Sequence, residues 1–325
     1  MRAPRLENRR LALGTMAMSG CYGPVSDADS LRTINAFLDL GHSYIDTADL
    51  YADGRCEELV GQVAKVRRAQ VEVGTKFGFI FGPTAATRGL NADPARVESA
   101  CDASLRRLGM DCIDVYYLHR VDPNFPVSDT VGAMSRLVER GKVRELGLCE
   151  VGPATLDEAV AVHPISVVQT EYSLWSREPE TNMLSICAQR GIRFYGYAPL
   201  GRGFLTGQIR SPDDIPVGDQ RREYPRFKGQ NFYRNLLLVD EVRRLAQCRG
   251  VSATQLAIAW AIRHSLVTPI VGATTPQQVE EADQAMAIEL EEGELAAIEA
   301  AFPLTSVAGQ RYPDAAMHRL EASSR

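Results

Sequence analysis

The chain has no C-x-x-C pair, no cluster of Cys and His at metal-ligand spacing, no internal repeat, no run of about 20 apolar residues and no excess of positive charge. Each absence removes a class of function. The seven cysteines, at positions 21, 56, 101, 112, 149, 187 and 248, stand singly and are odd in number. That excludes a disulfide framework and a zinc site, and predicts reduced thiols in a cytoplasmic protein. With 36 Lys and Arg against 41 Asp and Glu, the formal charge of -5 offers no net attraction to nucleic acid or to an anionic membrane surface. A small molecule is the expected partner. The basic stretch Met1 to Arg10 is followed neither by the apolar core of a signal peptide nor by a membrane span, so a soluble, unprocessed chain is expected. A nucleotide fingerprint in a first strand–helix turn is also missing. Gly201, Gly203 and Gly207 are spaced G-x-G-x-x-x-G and follow the seventh apolar run, not the first.

What is present is a 325-residue chain, 45% hydrophobic and 24% charged, long enough for a large core. Eight short apolar runs recur along it, at 11–16, 43–48, 71–76, 113–119, 143–149, 166–171, 193–199 and 268–273. They alternate little, as parallel strands buried on both faces do, and amphipathic stretches such as 29–40, 93–109, 128–140 and 179–190 separate them. Eight such units predict an α/β fold, a closed (β/α)8 TIM barrel spanning 1–325 as one domain, in preference to a doubly wound sheet. A long irregular loop follows strand seven, roughly 201–236. Helices are expected at 238–249 and 252–264, and a C-terminal tail from Pro303 at the barrel mouth.

Reactive residues of such a barrel sit at the C-terminal ends of its strands. Strand two ends in Asp46, with Tyr51 in the following loop; strand three ends in Lys76 and strand four in His119. Singly, each has a commonplace explanation as packing or solvated charge. Together they form a device for reducing a carbonyl, because a hydride arriving at carbon must be matched by a proton for the developing alkoxide. Tyr51 is the expected proton donor. Tyrosine's usual pKa of about 10 is high for this task, and the ammonium of Lys76 is expected to lower it. Asp46 would keep that lysine charged, and His119 would orient the carbonyl oxygen. Met18, Tyr22, Phe79, Trp175 and Tyr312 are candidates for an apolar substrate pocket.

The segments YIDTADLYADG…EELVG (44–61), VGTK (73–76) and VYYLHR (115–120) resemble the motifs of the aldo-keto reductase superfamily. Further segments, GLCEVGP (147–153), VVQTEYSLW (167–175), YAPLGRGFLTG (197–207) and GQRYP (309–313), resemble its bacterial and plant aldehyde and ketone reductases. The resemblance implies the same four catalytic residues and a nicotinamide cofactor, NADPH with NADH as the alternative, lying across the barrel mouth. It places Thr15, Met16, Asp46, Cys149 and Gln169 near the nicotinamide, with Tyr197 stacked on its ring. Pro199, Leu200, Gly201, Arg202 and Gly203 would wrap the pyrophosphate. Gly272, Thr274, Gln278 and Glu281 would meet the adenosine.

Several positions depart from the family pattern, Cys56 and Thr274 among them, and three bear most on the cofactor. Cys149 stands where a serine is usual, Gln278 where an arginine often contacts a 2′-phosphate, and Ala282 where an amide contacts adenine. These departures weaken the expectation of NADPH over NADH. Arg221, Arg222, Arg226, Lys228 and Arg234 in the long loop are the candidate substitutes for the phosphate contact. Two rival readings are a cofactor-binding redox sensor with little turnover and a Schiff-base aldolase using Lys76.

Overall fold

The computed structural model describes residues 11–80, 89–317 and 319–320. The eight apolar runs form eight parallel strands: β1 (Ala12–Gly14), β2 (Tyr44–Asp46), β3 (Glu72–Phe77), β4 (Ile113–Leu118), β5 (Val143–Cys149), β6 (Val167–Glu171), β7 (Arg193–Tyr197) and β8 (Val267–Gly272). They pair in sequence order, and β1 pairs with both β2 and β8, so the sheet closes into a barrel with no free edge. The expected TIM barrel is what the chain adopts. Among the described residues no helix is long and apolar enough to cross a membrane.

The barrel's outer face packs against helices α1 (Asp27–Asp39), α2 (Arg55–Arg67), α3 (Val97–Leu108), α4 (Val127–Glu139), α5 (Pro153–Val162), α6 (Met183–Arg190), α7 (Gly229–Arg249), α8 (Ala253–Ala261), α9 (Pro276–Gln284) and α10 (Glu292–Ala301). Capping residues fix several of the helix starts. Ser26 accepts the Asp29 N–H, Thr275 accepts the Gln278 N–H, and Ser252 forms a reciprocal box with Gln255.

The expected irregular stretch to residue 236 ends earlier, because α7 begins at Gly229 and runs for 21 residues. Its first turns are anchored by buried Phe232 and Asn235. The Asn235 amide donates to the carbonyls of Arg226 and Ala308 at 3.0 and 2.9 Å, tying loop and tail to the helix. A short antiparallel pair, Phe79–Ile80 with Gly89–Leu90, adds a flap after β3 that the apolar pattern does not announce.

Inside the barrel the filling is aromatic. Tyr44, Tyr117 and Tyr195 pack with Ala12, Val115, Cys149, Val167 and Ile270. The Tyr44 and Tyr117 hydroxyls lie 2.6 Å apart, and the Tyr44 ring stacks on Tyr195 with centroids 4.6 Å apart. These rings fit because neighbouring strand positions are glycine: a Cβ at Gly147 would lie 2.4 Å from the Tyr117 ring. Gly147→Ala is therefore expected to destabilise the protein by about 1–3 kcal/mol through overpacking, measured by urea unfolding. An unchanged midpoint would mean that the tyrosine layer is more yielding than its density implies.

Candidate active site

Strand pairing brings the four expected catalytic residues together. Asp46 closes β2 in register with Gly14 of β1 and Gly74 of β3, and Lys76 lies two residues further along β3, opposite Tyr117 of β4. The fully buried Lys76 Nζ donates to Asp46 Oδ1 at 2.5 Å and to the Thr47 carbonyl at 2.7 Å. Gln169 Nε2, from β6, donates to the other Asp46 oxygen at 2.7 Å. Burial raises the Asp46 carboxyl above its ordinary value, while Lys76 and Gln169 pull it back.

Tyr51 starts a 3-10 turn, Tyr51–Gly54, in which Ala52 and Asp53 take left-handed φ of 49° and 53°. Its ring centroid lies 5.1 Å from Lys76 Nζ, and 6.1 Å from the His119 ring in an edge-on arrangement. Phe79, from the flap, packs edge-on to His119 at 4.8 Å.

The expected depression of the Tyr51 pKa is not what the resting geometry produces. Burial pushes the phenol well above its usual value, with the charges of Asp46 and Cys149 adding to the shift and Arg120 opposing it. The physical reason is that the Lys76 charge is matched by Asp46 at 2.5 Å, so little field remains to offset desolvation of the phenolate. Tyr51 therefore rests as a protonated acid.

A cavity of about 590 Å³ opens over these residues, and Asp46, Tyr51, His119 and Gln169 line it. So do Met16, Tyr197, Pro199, Leu200, Arg202 and Gly203, followed by Gly272, Thr274, Gln278 and Glu281. Three expected cofactor residues lie behind its wall. Thr15 is buried, with its hydroxyl donating to the Asp46 carbonyl; Cys149 belongs to the barrel interior, where burial pushes its thiol up to about 12; a Cβ at Gly201 would meet the Trp175 ring. Gln278 Oε1 accepts the Thr274 N–H at 2.8 Å, and Ala282 is buried in the core.

Of the substrate candidates, Tyr22, Phe79 and Tyr312 line the cavity. Met18 and Trp175 do not: both are buried in the core, with Trp175 stacked on Phe204 at 5.3 Å. The five loop cations also separate. Arg226 is buried, bonded to Ser176 at 2.8 Å and Glu171 at 3.4 Å, and so cannot reach a phosphate in the cavity. Arg222 is held by the carbonyls of Ile215 and Pro216. Among the five, Arg221 lines the cavity, paired with Asp219 at 2.6 Å. The loop crosses the mouth to the segment after β1, where Gln220 N–H donates to the Cys21 carbonyl at 3.1 Å and Arg221 to that of Tyr22 at 3.3 Å.

Charged residues at the mouth were passed over in the sequence. Glu150 and Glu171, immediately after β5 and at the end of β6, are buried and hold Arg311 at 2.9 Å and Arg202 at 3.2 Å. Arg311 thereby pins the C-terminal tail, and Tyr312 beside it reaches the Tyr197 hydroxyl at 3.1 Å. Arg120, next to His119, lines the cavity. Arg120 and Glu150 stand one position beyond their apolar runs and Glu171 is the last residue of its own, so a census of polar residues at every strand end, extended by one position, finds all three.

The family model for the aldo/keto reductase family matches residues 10–302. A protein of Schizosaccharomyces pombe named as an NADP(+) aldo-keto reductase, yakc, is 38% identical over 312 residues, covering 94% of this chain and 92% of its own. A glycerol dehydrogenase of Gluconobacter oxydans superposes with a TM-score of 0.81 at 31% identity, covering 91% of this chain and 92% of that one. An aldo/keto reductase of Klebsiella pneumoniae, solved with NADP and acetate, gives a TM-score of 0.71 at 27% identity and 94% coverage of each chain.

One acid in the mouth loop titrates near neutrality. Asp49 has a buried Oδ1 with no hydrogen bond among the described residues, and burial, reinforced by Glu57, pushes its carboxyl up from 3.8 to about 7. The folded protein thus keeps a proton that the unfolded chain releases, so the contribution of Asp49 to stability is fully present below pH 3.8 and is lost as pH rises through about 7. Relative to wild type, Asp49→Asn should gain melting temperature between pH 5 and pH 8. Thermal melts offset equally at the two pH values would rule this out.

Proposed function

Because the chain belongs to the aldo/keto reductase family, we propose that it is an NADPH-dependent oxidoreductase that reduces an aldehyde or ketone to an alcohol, with Tyr51 as proton donor. The observation that carries this reading is the placement of Tyr51 and His119 on one cavity wall, above the buried Lys76–Asp46 pair.

The cavity suits a nicotinamide dinucleotide. Ala198, Gly201, Arg202 and Gly203 all have left-handed φ, a run of turned backbone of the kind that forms anion-binding concavities. The Gln169 amide nitrogen is committed to Asp46, so its oxygen is the atom available to a carboxamide. The loop spanning the mouth is placed to retain an extended ligand, with Arg202 and Arg221 as its cations that line the cavity. When bound, the nicotinamide supplies hydride to the carbonyl carbon.

The chain's own residues do the rest. His119 orients the carbonyl oxygen. As the C=O electron pair moves onto that oxygen, the Tyr51 hydroxyl donates its proton there, and solvent afterwards returns a proton to the phenolate. Lys76 matters in that step: held within about a ring's reach of Tyr51, its ammonium stabilises the phenolate as it forms, though not enough to ionise the resting phenol. The same pairing weighs against a Schiff-base role, since the Lys76 nitrogen is committed to Asp46 and Thr47.

Two measurements test the reading. Tyr51→Phe should lower kcat for aldehyde-dependent NADPH oxidation by about 10²–10⁴-fold, the usual worth of a positioned general acid, with the Kd for NADPH little changed. Wild-type rates in the variant would remove Tyr51 from the chemistry. For the adenosine end, Gln278→Arg should tighten NADPH by about tenfold or more while leaving NADH unaffected, followed by fluorescence titration. An equal change for both cofactors would separate position 278 from the 2′-phosphate.

A further inference from the structure

Among the described residues, the buried or largely covered arginines around the mouth are paired directly with acids, with one exception. Arg202 and Arg226 share Glu171, Arg311 holds Glu150, and Arg221 holds Asp219. Arg120 is only 6% exposed, yet among the described residues it makes no ion pair. Its one hydrogen bond runs from Nη1 to the carbonyl of His119 at 2.5 Å. The Phe79 ring lies 6.0 Å from its guanidinium carbon and also packs on His119, so one side chain shapes the position of both. The remaining guanidinium hydrogens belong to a residue that lines the cavity.

A guanidinium taken out of water without a carboxylate is costly, and a partner arriving from the cavity would offset that cost. Around the mouth, the buried arginines at 120, 226 and 311 and the largely covered Arg202 face the two glutamates at 150 and 171, an excess of two positive charges. Arg202 lies on the side of the β7 loop. Arg120 lies on the side of His119, where the carbonyl would sit. Arg120 and His119 line the same cavity and pack on the same Phe79 ring, so a group bound by one and a carbonyl oxygen bound by the other can belong to one small molecule.

Building on the reductase reading, we propose that Arg120 selects carbonyl substrates carrying a second, anionic group, a short-chain oxo acid, by donating hydrogen bonds to the carboxylate while His119 and Tyr51 donate to the carbonyl oxygen. This adds a charged end to the apolar pocket expected from the sequence. The apolar wall, Phe79 among it, flanks the chain between the two polar ends.

The test compares 4-oxobutanoate with its methyl ester, which keeps the spacing of the two carbonyl carbons and removes the charge. Arg120 also acts electrostatically on Tyr51, so the readout is the ratio of kcat/KM for acid over ester within each variant. Wild type should favour the acid. In Arg120→Met that ratio should fall by about 10- to 100-fold, chiefly through the KM of the acid, with Arg120→Lys in between. Calorimetric titration of the cofactor-free protein with butanoate should show binding that Arg120→Met abolishes. A wild-type preference for the ester, or the same ratio in wild type and Arg120→Met, would overturn the proposal. So would a loss of NADPH affinity in Arg120→Met with butanoate binding retained, which would assign the guanidinium to the nucleotide. If neither aldehyde is reduced but butanoate binding still depends on Arg120, the reductase reading fails while the anion site stands.

Discussion

The Lys76–Asp46 pair is the contact on which the rest of the mouth depends. A fully buried ammonium is tolerable only with its hydrogens satisfied, and here they meet a carboxylate of β2 and the carbonyl just after it. The second Asp46 oxygen is bonded by Gln169 from β6, 123 residues further along the chain. The Gln169–Asp46 contact joins strands that are not neighbours, across the barrel's bore, so it exists only when the sheet is closed. Closure of the fold and assembly of the site are therefore one requirement. The tyrosine layer beneath, Tyr44, Tyr117 and Tyr195, keeps water from approaching the pair from below.

What was legible in the sequence was what regular elements carry. The apolar runs located all eight strands, and a residue at the end of a parallel strand can hardly point anywhere but the mouth, so Asp46, Lys76 and His119 followed. Residues on loops were less readable because their burial is decided by distant contacts. Trp175, a candidate for pocket lining, lies behind Gly201, and Arg226, a candidate for the phosphate contact, is sequestered by Glu171 and Ser176. The start of α7 was hidden by the Gly, Pro and Arg content before it, although Phe232 and Asn235 set its inner face. The sign of the Tyr51 shift was misjudged for a different reason. Counting its nearest charge omitted both desolvation and the carboxylate that cancels that charge.

Backbone strain has the same address as the chemistry. Among the described residues, the non-glycine positions with left-handed φ are Ala52, Asp53, Glu150, Ala198 and Arg202, and all lie in the loops after β2, β5 and β7 at the barrel mouth. Such conformations cost of order 1–3 kcal/mol each and persist only where surroundings over-determine them. For Glu150 those surroundings are visible: its carboxylate is bonded by both Arg311 nitrogens and by the Glu171 N–H.

That arrangement makes the end of the chain part of the site. Arg311 lies 161 residues beyond Glu150, in the tail that follows α10, and its pairing sets down Tyr312 against Tyr197 and against the guanidinium of Arg202. Glu171 performs the same service for the loop after β7, holding Arg202 and Arg226 from opposite ends of it. Two strand-end glutamates thus fasten the two irregular segments that roof the cavity. Because each glutamate is bonded in that role, neither makes a contact ion pair with Arg120, which Glu150 stabilises only from a distance, and the excess of positive charge at the mouth follows from how the roof is held down.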